Sequence, residues 1–284
     1  LFRGTLRRGS LVTSGGAVLV AAQNGTLDGV TLGATIAGVP ASATVQGNLN
    51  SFTVTGGLTF ANGSLLDLGN AMRLVGDQTL GGDGEIRFRE GAGGAGAILN
   101  SNQTIFGPGL TIHRSDANVG SSVISGGSIT NQGTIRADAG GRIAIAGNIT
   151  NAVGGVLAAA GGTLIIDAKT ANYVAGTLTG GTWQALGNST LQITGADITT
   201  NAASIVLDGV GAKLTRDSAG TSALTNLSSN AAAGSFAIRN GRNFTTAAGF
   251  TNQGILLIGP ASVFSANGAY TQGNGATLAV EIAD

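Results

Sequence analysis

A phrase built around Thr-Asn returns along this sequence, and its spacing limits the fold more than any other feature. The segments are SITNQGTI at 128–135, NITNAVGGVL at 148–157 and FTNQGILL at 250–257. Each has an apolar residue, then Thr-Asn, then a glycine turn, then a second apolar stretch. A repeat of about 20 residues is the signature of architectures in which each unit stacks on the next. The sequence therefore predicts a solenoid.

Apolar residues recur at fixed steps and define three columns through the repeats. In the middle of the chain the predicted column pairs, at steps of 20, 21 and 21, are Ile129 with Ile149, Ile135 with Val156, and Ile143 with Leu164. In the last third they are Phe250 with Tyr270, Phe244 with Phe264, and Phe236 with Leu257 and then Leu278. Nearer the start they are Leu58 with Leu80 and Leu65 with Ile86. Three columns predict three strands per rung of about 20–23 residues.

Short alternating segments between turn residues indicate that these units are strands. Residues 142–145 (Arg-Ile-Ala-Ile) and 190–193 (Thr-Leu-Gln-Ile) alternate polar and apolar side chains, as half-buried strands do. Gly, Asn, Ser and Asp occupy the corners, where bends require positive φ. We expect an all-β, single-stranded parallel β-helix, right-handed because parallel crossovers nearly always have that hand. About twelve rungs at the strand spacing of ~4.8 Å make a rod roughly 55–60 Å long.

The rhythm is not equally regular along the chain. Residues 56–284 keep it, and we expect them to form one continuous solenoid domain. Residues 1–55 are less regular, and we expect N-terminal rungs, a cap or an interface there. Loops are expected at 91–96 and at 218–234, with an insertion around 168–174.

Composition narrows the class of protein. Only 10% of the residues are charged while 42% are hydrophobic, the opposite of a disordered chain. Fourteen basic residues balance 14 acidic ones without a dense basic run, so we expect no nucleic-acid partner. The absence of cysteine removes disulfides and thiolate metal sites. No apolar run approaches the ~18 residues of a membrane span. The first residue is Leu, which suggests a processed product or a fragment.

The repeated asparagines are the best candidates for a structural role. Asn131, Asn151 and Asn252 hold equivalent places in the three Thr-Asn phrases. Stacked asparagines can join their side-chain amides into a ladder along the rod. Several asparagines also fit the glycan acceptor pattern, but chance matches are expected in a chain so rich in Asn, Ser and Thr. We expect turns held by an amide ladder.

Chemically active residues are sparse. The densest charged group is Asp83, Glu85 and Glu90 with Arg87 and Arg89 among them. By alternation the residues 83, 85, 87 and 89 share one face of a strand, which indicates a solvated face of compensating charges. His113 is the only histidine, so a site with several histidine ligands is impossible, and we expect it on a strand face or corner. We therefore expect no catalytic, cofactor-binding or metal-binding residues.

The phrases ITNQGTI, GGTLII at 161–166 and the segment 250–282 resemble the repeats of large bacterial secreted and surface β-helix proteins. These include autotransporter passengers and adhesins similar to filamentous haemagglutinin. The resemblance covers residues 56–284 best and concerns a style of repeat shared by many proteins. It implies a right-handed β-helix outside the bacterial cell that acts as a stalk, adhesin or matrix fibre.

Our leading hypothesis is therefore a non-enzymatic structural protein, extracellular or on the cell surface. Residues 278–282 continue as a strand, so we expect this end to stack on another copy or on further rungs of a longer chain. Surface glycans or other cells are further expected partners. The alternatives are a β-helix enzyme that acts on polysaccharides, an ice- or glycan-binding solenoid, and a passive spacer.

Overall fold

The computed structural model describes residues 1–47, 50–91, 94–114, 116, 120–138, 140–167 and 170–282. Within these ranges the protein has 35 strands and no helix. The chain winds through about 12 turns of a parallel solenoid, which confirms the predicted fold class. Twenty-nine strands belong to one hydrogen-bonded sheet. The right hand of the coil stays a prediction.

Most of the strands are short, and they follow one another closely along the chain. The first part of the chain contains β1 (Thr5–Arg7), β2 (Ser10–Leu11), β3 (Leu19–Ala21), β4 (Thr26–Leu32), β5 (Ala34–Ile36), β6 (Val39–Ala41), β7 (Thr44–Gly47), β8 (Phe52–Leu68), β9 (Ala71–Leu74), β10 (Gln78–Phe88), β11 (Glu90–Gly91) and β12 (Gly94–Ala95). The middle contains β13 (Ala97–Leu99), β14 (Gln103–Phe106), β15 (Leu110–Arg114), β16 (Ser122–Ser125), β17 (Ser128–Asn131), β18 (Thr134–Asp138), β19 (Arg142–Ile145), β20 (Asn148–Asn151), β21 (Val156–Ala160), β22 (Thr163–Ile166), β23 (Tyr173–Val174), β24 (Thr177–Leu186) and β25 (Thr190–Ile193). The last part contains β26 (Thr200–Asp208), β27 (Lys213–Thr215), β28 (Ser229–Asn230), β29 (Ser235–Arg239), β30 (Phe244–Thr246), β31 (Phe250–Asn252), β32 (Ile255–Ile258), β33 (Phe264–Ala266), β34 (Tyr270–Gln272) and β35 (Thr277–Val280).

Three faces run along the rod, numbered in the order in which each rung visits them. Face 1 is the parallel stack of β1, β4, β8, β9, β13, β16, β19, β22, β25 and β27, after which β30 and β33 form a separate pair. Face 2 includes β2, β14, β17, β20, β28, β31, β34 and the starts of β10, β24 and β26. Face 3 is continuous through β3, β7, β15, β18, β21, β29, β32, β35 and the ends of β8, β10, β24 and β26. The long strands β4, β10, β24 and β26 bend around one corner and serve two faces, and β8 bends around two corners and serves all three.

Apolar residues in register fill the space between the faces. On face 1 an isoleucine from each of five successive rungs pairs with the next; these are Ile98, Ile124, Ile145, Ile166 and Ile193. All five are buried and belong to one core cluster that extends along the solenoid. β-branched side chains favour strands, and the isoleucine of each rung presents the same shape to the isoleucine of the next rung. A continuous core therefore forms from residues that no single rung could bury.

The register places several predicted column members together. Ile129 pairs with Ile149, and Ile143 pairs with Leu164. Phe250 pairs with Tyr270, Phe244 with Phe264, and Leu58 with Leu80.

Three predicted column members on face 3 were wrong by one residue. Ile135 pairs with Leu157, whereas Val156 pairs with Thr134 and is only half-buried. Leu257 points away from the core and pairs with Ala237. The core column is instead Phe236, Leu256 and Leu278. Ile86 likewise pairs with Leu66 and not with Leu65. A shift of one residue moves a side chain to the opposite side of its strand.

Extra residues leave the solenoid as short antiparallel excursions at its corners. β5 pairs with β6, β11 with β12, and β23 with the start of β24. The expected features at 91–96 and 168–174 include β12 and β23, while residues 92–93 and 168–169 lie outside the described ranges. The expected loop at 218–234 was wrong in part, because β28 is a parallel strand of face 2. In the first 55 residues, β1, β3 and β7 pair in parallel with later strands.

The predicted asparagines are fully buried at the corner after face 2, where five residues form an asparagine ladder in two parts: Asn131 and Asn151, then Asn201, Asn230 and Asn252. Leu178, which pairs with Asn201, separates the two parts. Each bond in its C-terminal part runs from an Nδ2 to an Oδ1 one rung on. Asn201 donates to Asn230 at 2.8 Å, and Asn230 donates to Asn252 at 2.8 Å. The second Nδ2 proton of Asn230 is directed to the backbone oxygen of Ile255, 3.0 Å away. Nearly all buried polar groups in proteins are hydrogen-bonded, and these amides follow that rule.

The N-terminal part of the ladder has a different arrangement. Asn131 Nδ2 donates to Asn151 Oδ1 at 2.9 Å. The next bonds come from Asn172 in the excursion, whose Oδ1 accepts from the Asn151 backbone nitrogen at 2.6 Å. Asn172 Nδ2 returns a bond to the Asn151 backbone oxygen at 3.0 Å. On the preceding rung Asn131 pairs with Phe106, and the phenylalanine side chain has no donor for Asn131 Oδ1.

Glycines next to the ladder let the backbones approach closely. A Cβ at Gly234 would lie 2.4 Å from the backbone oxygen of Asn201 and 2.4 Å from Asn230 Oδ1. A Cβ at Gly155 would lie 2.3 Å from the backbone oxygen of Asn131. The glycine after Thr-Asn is therefore required by space, which explains why the two recur together.

We expect Asn230→Ala to destabilise the protein by about 2–4 kcal/mol, since it leaves Asn252 Oδ1 buried without a donor and one Nδ2 proton of Asn201 buried without an acceptor. The midpoint of urea unfolding, followed by circular dichroism, measures this change. Asn267→Ala is the matched control, because Asn267 is exposed and its loss should change stability by less than about 0.5 kcal/mol. Equal midpoints for the two variants would contradict a stabilising ladder.

Candidate functional site

A column of charged residues lies on the outer side of face 3. The register stacks Asp67, Arg87, His113 and Arg136 on four successive rungs. Alternation along β10 turns Glu85 and Arg87 outward and buries Ile86 and Phe88, as the sequence pattern predicted. Glu85 and Arg87 therefore share one surface with the single histidine, whereas Glu90 begins β11 at the next corner.

Arginines neutralise the carboxylates of this column. Arg87 Nε is 3.1 Å from Asp67 Oδ1, and Arg89 Nε is 3.0 Å from Asp67 Oδ2. The hydrogen bond to Asp67 raises the pKa of Arg87 above its ordinary value. On the next rungs Arg136 Nε lies 2.6 Å from Asp138 Oδ1. Asp67 is held by two guanidinium groups, so it is a charge-balanced anchor of the surface.

Both ring nitrogens of His113 face carboxylates. Nδ1 is 3.1 Å from Asp138 Oδ2, and Nε2 is 3.6 Å from Glu85 Oε2. The side chain is only 12% exposed. A general base needs a ring nitrogen within hydrogen-bond reach of a substrate proton, and here both nitrogens are turned to protein acids. The geometry fits a bridge between rungs. The prediction that His113 lies on a strand face agrees with its position in β15.

Arg114, the next residue, points inward, and the sequence pattern did not single it out. Its side chain is 0% exposed. Nε lies 2.6 Å from Asp116 Oδ1, Nη1 donates to Ser122 Oγ at 3.1 Å, and Nη2 is 3.8 Å from Glu90 Oε2. Asp116 Oδ2 also accepts from the backbone nitrogen of Glu90 at 3.0 Å. Period-two alternation after the inward Leu110 and Ile112 could have revealed this position.

The arginine connects the corner excursions to the core. In its column it pairs with Phe88 before it and Ala137 after it, so a large apolar neighbour is followed by a small one. Glu90 begins the hairpin of β11 and β12, and Asp116 follows β15. A buried charge is tolerated when it is paired and hydrogen-bonded. Arg114 therefore holds two neighbouring corners together through one guanidinium group.

The last rung exposes the apolar interior of the solenoid. A cavity of about 210 Å³ is lined by Leu256, Ile258, Phe264, Ala266, Tyr270 and Leu278. Tyr270 is 38% exposed and Leu278 is 46% exposed, although both lie in core columns. The rings of Phe250 and Tyr270 stack with centroids 6.3 Å apart, and Phe264 packs at 5.0 Å from Phe250. The aromatic core thus continues to the last described rung.

Neither a metal centre nor a membrane-spanning helix is found in the described ranges. No cluster of three or more His, Cys, Asp or Glu side chains in them could hold a metal ion. Nor does the described part of the chain contain a helix long and apolar enough to cross a membrane.

We expect Arg114→Ala to destabilise the protein by about 2–4 kcal/mol, because it opens a cavity and leaves Ser122 and the acids without their partner. Arg114→Met should recover only the part of this loss that comes from the cavity, since an apolar side chain of similar length fills the space but does not pair with Asp116 and Glu90. Arg142→Ala is the control, as this arginine is exposed on face 1. Urea unfolding measures all three variants. A midpoint for Arg114→Ala equal to that of the control would contradict the assignment.

Comparison with known proteins identifies no relative of this chain. No protein-family model matches the sequence. No curated protein is significantly similar to it. The β-solenoid architecture is therefore the property that this chain shares with β-helix repeat proteins.

Proposed function

We propose that this chain is a non-enzymatic structural segment of the bacterial cell exterior, a rigid stalk or fibre unit of an adhesin type. The observation that carries the proposal is the uninterrupted parallel stack of face 3, from β3 to β35. Each strand between those ends is paired on both sides, so the rod resists bending and local opening. Rigidity over such a length is what a spacer requires.

The use of the side chains supports the same proposal. Inward residues serve the core, the asparagine ladder or, at Arg114, the link between two corners, and the charged column of face 3 is neutralised by its own ion pairs. Exposed positions are rich in Thr, Ser, Asn and Gly, which keep a long surface soluble without a strong field. The cell-exterior location rests on the resemblance of the repeats to those of secreted and surface β-helix proteins.

We further propose that the last rung receives the first rung of a second copy of this chain. The first rung carries one partly buried leucine on each face that packs on the core, namely Leu6, Leu11 and Leu19. The last rung presents Phe264, Tyr270 and Leu278 on the same three faces. Exposed strand edges add to other strands readily, and a head-to-tail contact of this type propagates into a filament.

Sedimentation velocity and negative-stain electron microscopy of the 284-residue chain test the end-on contact. We expect rods whose lengths are multiples of about 55–60 Å, the length of twelve rungs at the strand spacing. The double variant Tyr270→Asp/Leu278→Asp should remain monomeric, because two charges would be buried at the contact. Monomers of the unchanged chain at high concentration would overturn the contact.

The control for this experiment is Val153→Asp/Val210→Asp. These valines are 91% and 79% exposed and lie on the sides of the rod. The control should assemble like the unchanged chain. If it also remained monomeric, the loss would come from added charge and not from the end of the rod.

The enzyme alternative has a separate test. Incubation with acidic polysaccharides should release no reducing ends and no unsaturated sugars at any pH between about 4 and 9, a range that spans the titration of carboxylates and histidine. Turnover that survives purification and disappears with Glu85→Gln or His113→Gln would contradict the non-enzymatic role. Both substitutions lie on the outer side of face 3, so the fold should tolerate them.

A further inference from the structure

A polar groove runs along one corner of the first rungs. This corner lies between face 3 of one rung and face 1 of the next. The groove has a volume of about 490 Å³ and is lined by Arg3, Gln23, Asn24, Asn50, Ser51, Asn70, Ala71 and Arg73. These residues come from four successive passages of the chain, so the groove is parallel to the rod axis. An elongated ligand would fit this shape better than a compact one.

The groove is positively charged. No acidic side chain of the described ranges lines it, and neither Arg3 nor Arg73 forms an ion pair there. The two acids among the first 75 residues are engaged elsewhere: Asp28 binds Arg7 at 2.7 Å, and Asp67 is held by two arginines of the charged column. Arg73 is exposed, and its Nε is 3.4 Å from Ser51 Oγ. Two guanidinium groups thus remain available to anions.

Amide side chains stand between the two arginines, with at least one on each rung. Asn24 and Asn50 adopt left-handed backbone conformations, with φ of 65° and 62°, which turn the chain at the corner and leave both residues exposed. Asn70 occupies the same corner of the following rung, where its Oδ1 accepts from the Ala71 nitrogen at 2.7 Å. Amides both donate and accept hydrogen bonds. They therefore suit hydroxyl groups that repeat along a chain.

We infer that this groove binds an extended anionic polysaccharide, a chain of uronic acids lying parallel to the rod axis. Rungs repeat every ~4.7–4.9 Å, a distance comparable to the length that one sugar ring adds to an extended 1,4-linked chain. The guanidinium groups of Arg3 and Arg73 take carboxylates, for which their planar fork is suited. The amides of Asn24, Asn50 and Asn70 bind ring hydroxyls. This site would give the rod a ligand without any catalytic step.

The lining disfavours a nucleic acid. Single-stranded nucleic acids are held by aromatic side chains on which the bases stack, and no aromatic ring lines the groove among the described residues. A peptide ligand would require apolar pockets for its side chains, whereas among the described residues of the lining Ala71 alone is apolar.

Isothermal titration of the full chain with a hexamer of 1,4-linked uronic acid tests the inference, with a hexamer of 1,4-linked glucose as the neutral probe. We expect binding of the uronate hexamer that weakens as salt is added, and no binding of the glucose hexamer. The double variant Arg3→Ala/Arg73→Ala should weaken binding at least about tenfold, the loss expected for charge-assisted hydrogen bonds. Asn50→Ala should weaken it less while preserving the salt dependence.

The matched control is Arg142→Ala/Arg216→Ala, which removes the same charge far along the chain. This control should bind the uronate hexamer as the unchanged chain does. Equal losses in the two double variants would overturn the site, as would equal affinity for the glucose hexamer or for an oligothymidylate. No detectable binding of uronate at millimolar concentration would overturn it too. Filament formation is measured separately, so failure of uronate binding leaves the structural proposal standing.

Discussion

The whole structure depends on the pairing of each strand with its equivalents one rung above and one rung below. A single rung has no interior, and its backbone groups are satisfied only by its neighbours. In-register stacking then places each inward side chain against the equivalent side chains of the rungs above and below. The core therefore needs the same shape repeated from rung to rung more than it needs different shapes that interlock. The isoleucines from Ile98 to Ile193 on face 1 meet this need with apolar residues. The asparagine ladder meets it with amides that bond to one another.

The sequence was sufficient for the architecture because the constraint is periodic. Thr-Asn phrases followed by a glycine turn mark the corner where the ladder asparagine is buried and the glycine has no room for a Cβ. The register of the strand pairs was harder to predict from the sequence. On face 3 the errors fell where two apolar residues are adjacent, as in Val156-Leu157 and Leu256-Leu257. Either residue could face inward by its chemistry, and only the pairing with the neighbouring rung decides between them.

Variation in rung length made two of the ladder asparagines hard to recognise in the sequence. Asn201 and Asn230 are 29 positions apart in the ladder, because the chain leaves the solenoid between them and returns. Neither is preceded by an apolar residue and Thr, so the repeated phrase marks neither of them. Excursions leave the register of the core intact, since their extra residues pair with themselves in antiparallel hairpins. Arg114 is the point where two such corners are bound to the interior, and a search for periodic residues does not detect a residue that occurs once.

The division between interior and corner also explains where recognition can develop on such a rod. A change in an inward side chain affects two neighbouring rungs, so the columns have little freedom to acquire a binding role. Outside the buried asparagine ladder, many corner residues meet solvent, and a residue such as Asn24 or Asn50 needs only to allow the left-handed backbone of its bend. The proposed polysaccharide groove uses corners, whereas the proposed end-on contact uses the edge of the stack. Because the two surfaces draw on different parts of the fold, one can change without weakening the other.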